Sequence, residues 1–391
     1  MLGGGRPVHS KAKVVFCLLV LLMALHSRVA YCAPSSLRVT ADSALLMDWH
    51  TGTVLYEKNA YALRHPASLT KIMTAVVALE NSSLHDVITV TEASCYIPGQ
   101  TVNLRPGQRF TMEDLLYATL LKSANDAATA VAVHVGGSVP EFASMMNQKA
   151  AEIGTLSTCF MNPHGHTQPG HLTTAYDLAQ ITRYAMGIPH FATCVSTMEA
   201  EVDRLDKDVV IRLRNTNQLL WHFEGADGVK TGTTQAAGKS LIASATRGEQ
   251  KLICVVLHSD SRWQDAEALL DYGFSQYGLV LAYRQGELVR SVRVTNGMAI
   301  RVSLVCDTDL AAVVPIQYLE RVYVSEPPTS VNAPCDPLVS VGSIGLWLDD
   351  KELARAQLMP RQYVPRRTLW RLLRANFARL TAKLERSQVE D

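Results

Sequence analysis

Strand-like runs at both ends of a helical stretch are the strongest constraint this sequence places on its fold. Apolar residues at 44–48 and 53–56 flank Thr51-Gly52, the signature of a β-hairpin. Helical patterning follows over 68–80, over 112–135 with a break at Ser123-Ala124-Asn125-Asp126, over 145–153 and over 175–186. Strand character returns at 228–231, 240–245 and 251–257, before a helix over 265–277. Strands first, helices between and strands last predict an α/β layer whose sheet joins both ends of one domain. Beyond residue 285 the texture changes. Residues 289–294, 300–306 and 320–324 alternate or are β-branched, with turns at Pro327-Pro328 and Ala333-Pro334, which predicts a small all-β domain over 285–360.

The net charge of +1 hides a division that bears on function. Residues 1–35 carry Arg6, Lys11, Lys13 and Arg28 and no acid, a charge of +4. Residues 361–391 carry eight basic and three acidic residues, a charge of +5, which leaves −8 for 36–360. A body of that charge excludes a strongly basic nucleic-acid binder, so no nucleic-acid partner is expected.

At the N-terminus, basic residues precede an unbroken apolar run of 12 residues from Val14 to Leu25. That is too short to span a hydrocarbon core of about 30 Å but suits a signal-peptide core. Residues 1–35 therefore read as a signal peptide cut after Ser35, and the chain as an exported one. At the other end, Leu369, Leu373, Phe377, Leu380 and Leu384 share one helical face with Trp370 beside them. Arg366, Arg367, Arg371, Arg374, Arg379, Lys383 and Arg386 surround that face, so residues 366–386 fit a helix lying in an anionic membrane surface. The competing reading is a helix docked on the acidic body of the same chain. Six cysteines follow residue 35, with no CxxC pair and no zinc-type spacing. Most read as core thiols, Cys254 above all.

Three short motifs could carry chemistry. Ser68-Leu69-Thr70-Lys71 places a hydroxyl at a helix start, where backbone N–H groups face developing negative charge, and a lysine one turn on. A neutral lysine there could take the serine proton. Ser123-Ala124-Asn125, at the break between helices, offers a hydroxyl for proton transfer and an amide to orient a substrate. Lys230-Thr231-Gly232, on a strand, suits a substrate carboxylate, and the N–H groups of Ser68 and Thr233 could form an oxyanion hole. Each motif has an ordinary reading by itself: an N-cap, a surface charge, a loop cap, a strand-to-turn transition. Their conjunction, in this order and in these contexts, is the pattern of serine acyl-transfer enzymes with SxxK, SxN and KTG. Two decoys fail. Five residues rather than four separate Gly232 from Gly238, which excludes a phosphate loop. His164, His166 and His171 lack an HExxH and lie among loop residues, so no metal is expected.

The chain resembles the low-molecular-weight penicillin-binding proteins that act as D-alanyl-D-alanine carboxypeptidases. Besides the motifs, the resemblance rests on Asn162-Pro163-His164-Gly165, Thr173-Thr174-Ala175-Tyr176-Asp177 and Asn215-Thr216-Asn217-Gln218. It continues through Asp227-Gly228-Val229-Lys230-Thr231-Gly232-Thr233-Thr234 and Leu269-Leu270-Asp271-Tyr272-Gly273-Phe274. It departs at His166, where the family usually has an apolar residue.

The resemblance implies an α/β fold: a serine β-lactamase/transpeptidase-like domain over 36–284, with an antiparallel sheet and a helical region. A β-rich domain over 285–360 and an amphipathic membrane-surface helix over 361–391 would follow it. It implies Ser68 as nucleophile, Lys71 as base and Ser123 as proton carrier, with Asn125, Lys230, Thr231, Gly232 and Thr233 binding substrate and no cofactor. The substrate would be a peptidoglycan stem peptide ending in D-Ala-D-Ala, β-lactam antibiotics would act as inhibitors, and the site of action would be the outer face of the cytoplasmic membrane. Two rivals share the motifs: a class A β-lactamase, whose second motif usually has aspartate where Ala124 stands, and a non-catalytic penicillin-binding sensor.

Overall fold

The computed structural model describes residues 37–373, and from Val39 onward these form one compact unit. The expected signal peptide and most of the expected tail helix lie outside the described residues. Strands Ser43–Asp48 and Val54–Lys58 form the predicted hairpin. Ser43–Asp48 then pairs antiparallel with Gln250–Ser259, more than two hundred residues on. Strands Gly238–Arg247 and Ala226–Thr234 complete a five-stranded antiparallel sheet, with Ala226–Thr234 at one edge. The sheet does join both ends of the domain, and the α/β class read from the sequence is the one observed.

The central strands Ser43–Asp48 and Gln250–Ser259 are buried almost throughout, because helices cover both faces. Helix Arg262–Gln276 covers one face, with Gly273 tight against Leu46 and Leu252, where a Cβ would lie 2.7 Å and 2.5 Å from their methyl groups. On the other side, helix Lys71–Asn81 runs through a cluster of helices. Ile72, Met73, Ala75, Val76, Val77 and Ala78 are all buried, so this helix is enclosed on every side over its first two turns and sits at the centre of the core. Around it pack Met112–Leu120, Asn125–Gly136, Val139–Ile153 and Ala175–Met186. Three of the four starts are set by side-chain caps: Thr111 and Asp114 form a capping box, Ser138 accepts from the Glu141 N–H, and Thr174 accepts from the Asp177 N–H; Asn125–Gly136 begins after Ala124 without one.

Several local readings need correction. Ser68 is not in the α-helix but in a 3-10 turn, Ala67–Thr70, with the α-helix beginning at Lys71. The helix read from residue 145 begins at Val139, because Ser138 caps it and Pro140 fits its first turn. Tyr277 ends no helix; it opens a strand, Tyr277–Tyr283, paired with Leu310–Pro315. That pair packs on a six-stranded sheet with its own core, built on Val292, Val302, Leu304, Leu346 and Leu358. The second layer thus starts before the expected boundary at 285. It also outlasts 360, since Val364 bridges to Cys335 and Arg366 to Gly297. Helical structure begins again at Leu369. The cysteines at 95, 194, 254, 306 and 335 are buried free thiols, and Cys159 is exposed.

Candidate active site

The burial of helix Lys71–Asn81 carries Lys71 down with it, and the residue has no solvent exposure. A buried ammonium is costly without partners. Lys71 Nζ has three: Ser68 Oγ at 3.0 Å, Asn125 Oδ1 at 2.7 Å and the His164 carbonyl oxygen at 2.7 Å. The Asn125 amide is oriented by its Nδ2, which donates to the Pro98 carbonyl at 2.5 Å, so its oxygen faces the lysine. Two of the three partners are acceptors with no proton to give. A neutral Lys71 therefore commits its two N–H groups to Asn125 and His164, and its lone pair is left for the Ser68 hydroxyl. Burial, and after it the charge of Lys230, hold Lys71 well below the ordinary lysine range, with Asp126 opposing them.

Ser123 lies between helices Met112–Leu120 and Asn125–Gly136 in left-handed backbone, at φ 64°. A non-glycine residue there is strained and needs its surroundings to hold it. The hold comes from both sides: Ala124 N–H donates to Ala118 O at 3.1 Å, and Asn125 N–H to Gln100 O at 2.7 Å. Asp126 accepts from the N–H groups of Val102 (3.2 Å) and Leu104 (2.9 Å). The start of this helix therefore clamps the loop at 98–104, whose Pro98, Gly99 and Gln100 line the cleft. The sequence offered no signal for that loop.

The third motif lies on the edge strand Ala226–Thr234, whose outward backbone groups are left for another extended chain to pair with. Lys230 is buried, and its proton affinity is lowered to about 7, by burial first and by Arg262 second. Thr231 Oγ1 is 2.8 Å from Thr216 Oγ1. Gly232 is needed for a close approach: a Cβ there would lie 3.2 Å from both Leu69 Cγ and the Pro66 carbonyl, on the turn that carries Ser68. By strand alternation Lys230 shares that face. Arg262 Nη1 donates to Thr233 Oγ1 at 2.9 Å and to the Gly232 carbonyl at 3.2 Å, with its guanidinium 4.7 Å from the Trp263 ring centre.

Ser68, Ser123, Asn125, Thr231, Gly232 and Thr233 line one cleft of about 480 Å³, with Lys71 and Lys230 buried beside it. His164, Gly165, His166, Thr216 and Arg262 line it too. In the sequence Arg262, just ahead of the helix read from Asp265, suits either a source of positive potential near a substrate carboxylate or a surface salt bridge; His164, Gly165 and Thr216 enter through the family resemblance, and His166 as the departure from it. Burial, the largest cause, lowers the His164 pKa to about 3, so its ring is neutral and accepts from the His166 N–H at 3.2 Å. A larger cavity of about 810 Å³, bordered by Trp49, Arg183 and Tyr184, contains none of the three motifs. Among the described residues, no group of three or more His, Cys, Asp or Glu side chains is placed to hold a metal ion.

A serine hydroxyl beside a buried lysine of lowered proton affinity, an amide, and a second lysine with hydroxyls along an edge strand are the parts that acyl-transfer chemistry requires. Residues 30–261, which include all three motifs, match the D-alanyl-D-alanine carboxypeptidase family of peptidases.

This chain belongs to that family.

It is 35% identical over 271 residues to the D-alanyl-D-alanine carboxypeptidase DacF of Bacillus subtilis, covering 67% of this chain and 69% of that one. Similarity to the DacD carboxypeptidase of Escherichia coli is 31% identity over 346 residues, 84% of this chain and 87% of the other. Among solved structures, penicillin-binding protein 5 of Haemophilus influenzae superposes with a TM-score of 0.72 at 28% identity, over 84% of this chain and 98% of that one. A variant of the Streptomyces K15 DD-transpeptidase superposes at 0.59 and 34% identity, over 61% of this chain and 98% of the other. The likeness to the Haemophilus protein spans too much of the chain to stop at the first sheet, so the carboxypeptidase family resemblance includes the second.

Proposed function

We propose that Ser68 is the nucleophile and Lys71 the base of a serine-type D-Ala-D-Ala carboxypeptidase that trims peptidoglycan stem peptides and is acylated by penicillin. One observation carries these roles: Lys71 Nζ, buried and held by two acceptors, lies 3.0 Å from Ser68 Oγ. Lys71 takes the Ser68 proton as Ser68 Oγ attacks the carbonyl of the penultimate D-alanine. The N–H groups of Ser68 and Thr233 receive the developing oxyanion. Ser123 helps return the proton to the departing D-alanine amine, and water then hydrolyses the ester. Asn125 orients Lys71 and the substrate amide. Lys230, Thr231 and Arg262 form the carboxylate-binding corner, and Gly232 leaves the strand open for the peptide backbone to lie along it.

The test combines intact mass with a D-alanine assay. The enzyme is expected to form a penicillin adduct on Ser68 and to release D-alanine from a peptide ending in D-Ala-D-Ala. An adduct without D-alanine release, or an adduct that persists in Ser68→Ala, would overturn the reading. Rapid penicillin turnover without D-alanine release would indicate a β-lactamase.

The place of action we propose is the outer face of the cytoplasmic membrane, reached through the export signal at 1–35 and held by residues 366–386. Leu369, Trp370 and Leu373 support this, since all three are exposed at the start of the helix, Trp370 to 83%. Among the described residues no helix is long and apolar enough to cross a membrane.

A further inference from the structure

We propose that His171 is a positioning residue for acylation: acting through Thr70, it fixes the Ala67–Ser68 peptide so that the Ser68 N–H points at the carbonyl under attack. The proposal rests on Ser68 being the nucleophile.

The direction of every bond in the relay follows from the groups themselves. Met161 N–H donates to His171 Nδ1 at 3.0 Å, so Nδ1 carries no proton. The ring proton is then on Nε2, which lies 2.8 Å from Thr70 Oγ1. Thr70 accepts there, and its own hydrogen is free for the Ala67 carbonyl, also at 2.8 Å. A doubly protonated ring would set Nδ1–H against the Met161 N–H. Burial lowers the His171 pKa to about 4, which keeps the single-proton form. Both His171 and Thr70 are almost wholly excluded from solvent, so water does not substitute for either partner.

The target of the relay is a peptide that needs holding. Ala67 has φ 48°, in the left-handed region that a residue with a Cβ avoids. In a trans peptide the C=O and N–H point in opposite directions. Drawing the Ala67 oxygen toward Thr70 therefore sends the Ser68 N–H the other way, as an oxyanion donor requires. The opposite flank of that oxygen is filled by Gly165, where a Cβ would lie 1.8 Å from it. The ring is itself anchored. The His171 N–H donates to Gln168 O at 3.0 Å, His65 Nδ1 lies 3.1 Å from the His171 carbonyl, and Phe160 meets the ring edge-on with centroids 5.9 Å apart.

The test uses the full chain in His171→Phe, His171→Gln, Thr70→Val and His171→Phe/Thr70→Val forms. Rapid-mixing acylation by penicillin separates the dissociation constant of the non-covalent complex from the acylation rate constant. His171→Phe keeps the ring shape but removes the relay, and is expected to slow acylation on the order of 10²-fold. The dissociation constant should be nearly unchanged, because Lys230, Thr231 and Arg262 are untouched. Thr70→Val should match it, and the double variant should be no slower than the slower single one. His171→Gln, whose amide offers an acceptor and a donor at about the separation of the two ring nitrogens, should recover most of the rate. The proposal is overturned if His171→Phe acylates at the parent rate, if the loss falls in the dissociation constant, or if Gln and Phe are equally slow. Should His171→Phe fail to fold by circular dichroism, Thr70→Val and His171→Gln decide the question by the same readouts: a parent acylation rate in Thr70→Val overturns the relay. Failure of the parent chain to acylate at Ser68 would instead strike the nucleophile assignment itself.

Discussion

Lys230 lowers the proton affinity of Lys71: the two lysines are buried at the same cleft, and the charge of Lys230 is the second largest cause, after burial, of the Lys71 shift. In the mechanism we propose, one cation thus has two consequences: it holds the substrate carboxylate and disfavours protonation of Lys71. Lys230→Gln removes both. Loss of the buried cation from a carboxylate pair is expected to cost about 2–5 kcal/mol in kcat/KM. Removing a like charge favours protonated Lys71, so the acid limb of the kcat/KM profile should also move to higher pH. D-alanine release measured across pH checks this; an unmoved acid limb would show that Lys230 does not act on Lys71.

A second outcome follows from Lys230 having a pKa of about 7. Above that pH the free enzyme holds it mostly neutral, and a substrate carboxylate must draw a proton back on. Binding of a non-hydrolysable D-Ala-D-Ala analogue should take up a proton at pH 8 and almost none at pH 6. KM should rise with pH through the same window. Calorimetry in two buffers of different ionisation enthalpy reads the uptake directly, and equal heats at pH 8 would refute it. Between about 7 and the ordinary lysine value of 10.5 the unfolded chain binds the extra proton, so this group makes stability rise with pH over that range.

The motifs were legible because each is local: two residues between serine and lysine, one between Ser123 and Asn125, three consecutive positions at Lys230. Helix Ala175–Met186 was legible for the same reason, its apolar face and Thr174 cap lying within one short window. Lys351–Pro360 was not, because Lys-Glu-Leu-Ala-Arg-Ala-Gln-Leu is rich in helix formers and becomes a strand only by pairing with Ser343–Leu348 and Arg301–Cys306. Strand Tyr277–Tyr283 was hidden by following a helix without a break. Within the site, the Thr70–His171 bond joins residues 101 apart in the chain, and the left-handed backbone of Ala67 leaves no mark on composition. Sequence thus marked the groups that the structure gathers at the cleft but not what holds the Ser68 turn in shape.

Gly165 gives a steric test of that hold. Its φ is 88°, and a Cβ would collide with the Ala67 carbonyl at 1.8 Å and approach the Ser68 nitrogen at 2.9 Å. Gly165→Ala combines backbone strain with overpacking, for an expected destabilisation of about 1–3 kcal/mol. The turn must also shift, so acylation by penicillin should slow even where the variant is folded. Thermal unfolding and the acylation rate check the two effects separately; a variant with parent values of both would show that the turn is held elsewhere.

The tail prediction depends on where the folded chain ends. Truncation at Pro360 would remove the bridges from Val364 to Cys335 and from Arg366 to Gly297, together with the Arg367 N–H bond to Asn296 O, and so would disturb the second sheet. Truncation after Arg367 keeps all three and removes Leu369, Trp370, Leu373 and the basic residues that follow. The mature full-length protein should sediment with phosphatidylglycerol vesicles and detach as salt rises, because exposed cations on an anionic surface are screened within about 10 Å at 0.1 M ionic strength. The chain ending at Arg367 should stay in solution while retaining the parent melting temperature and penicillin acylation rate. Sedimentation of the shortened chain would place the membrane contact on the folded body, and binding of neither form would leave the tail to dock on the chain's own acidic surface.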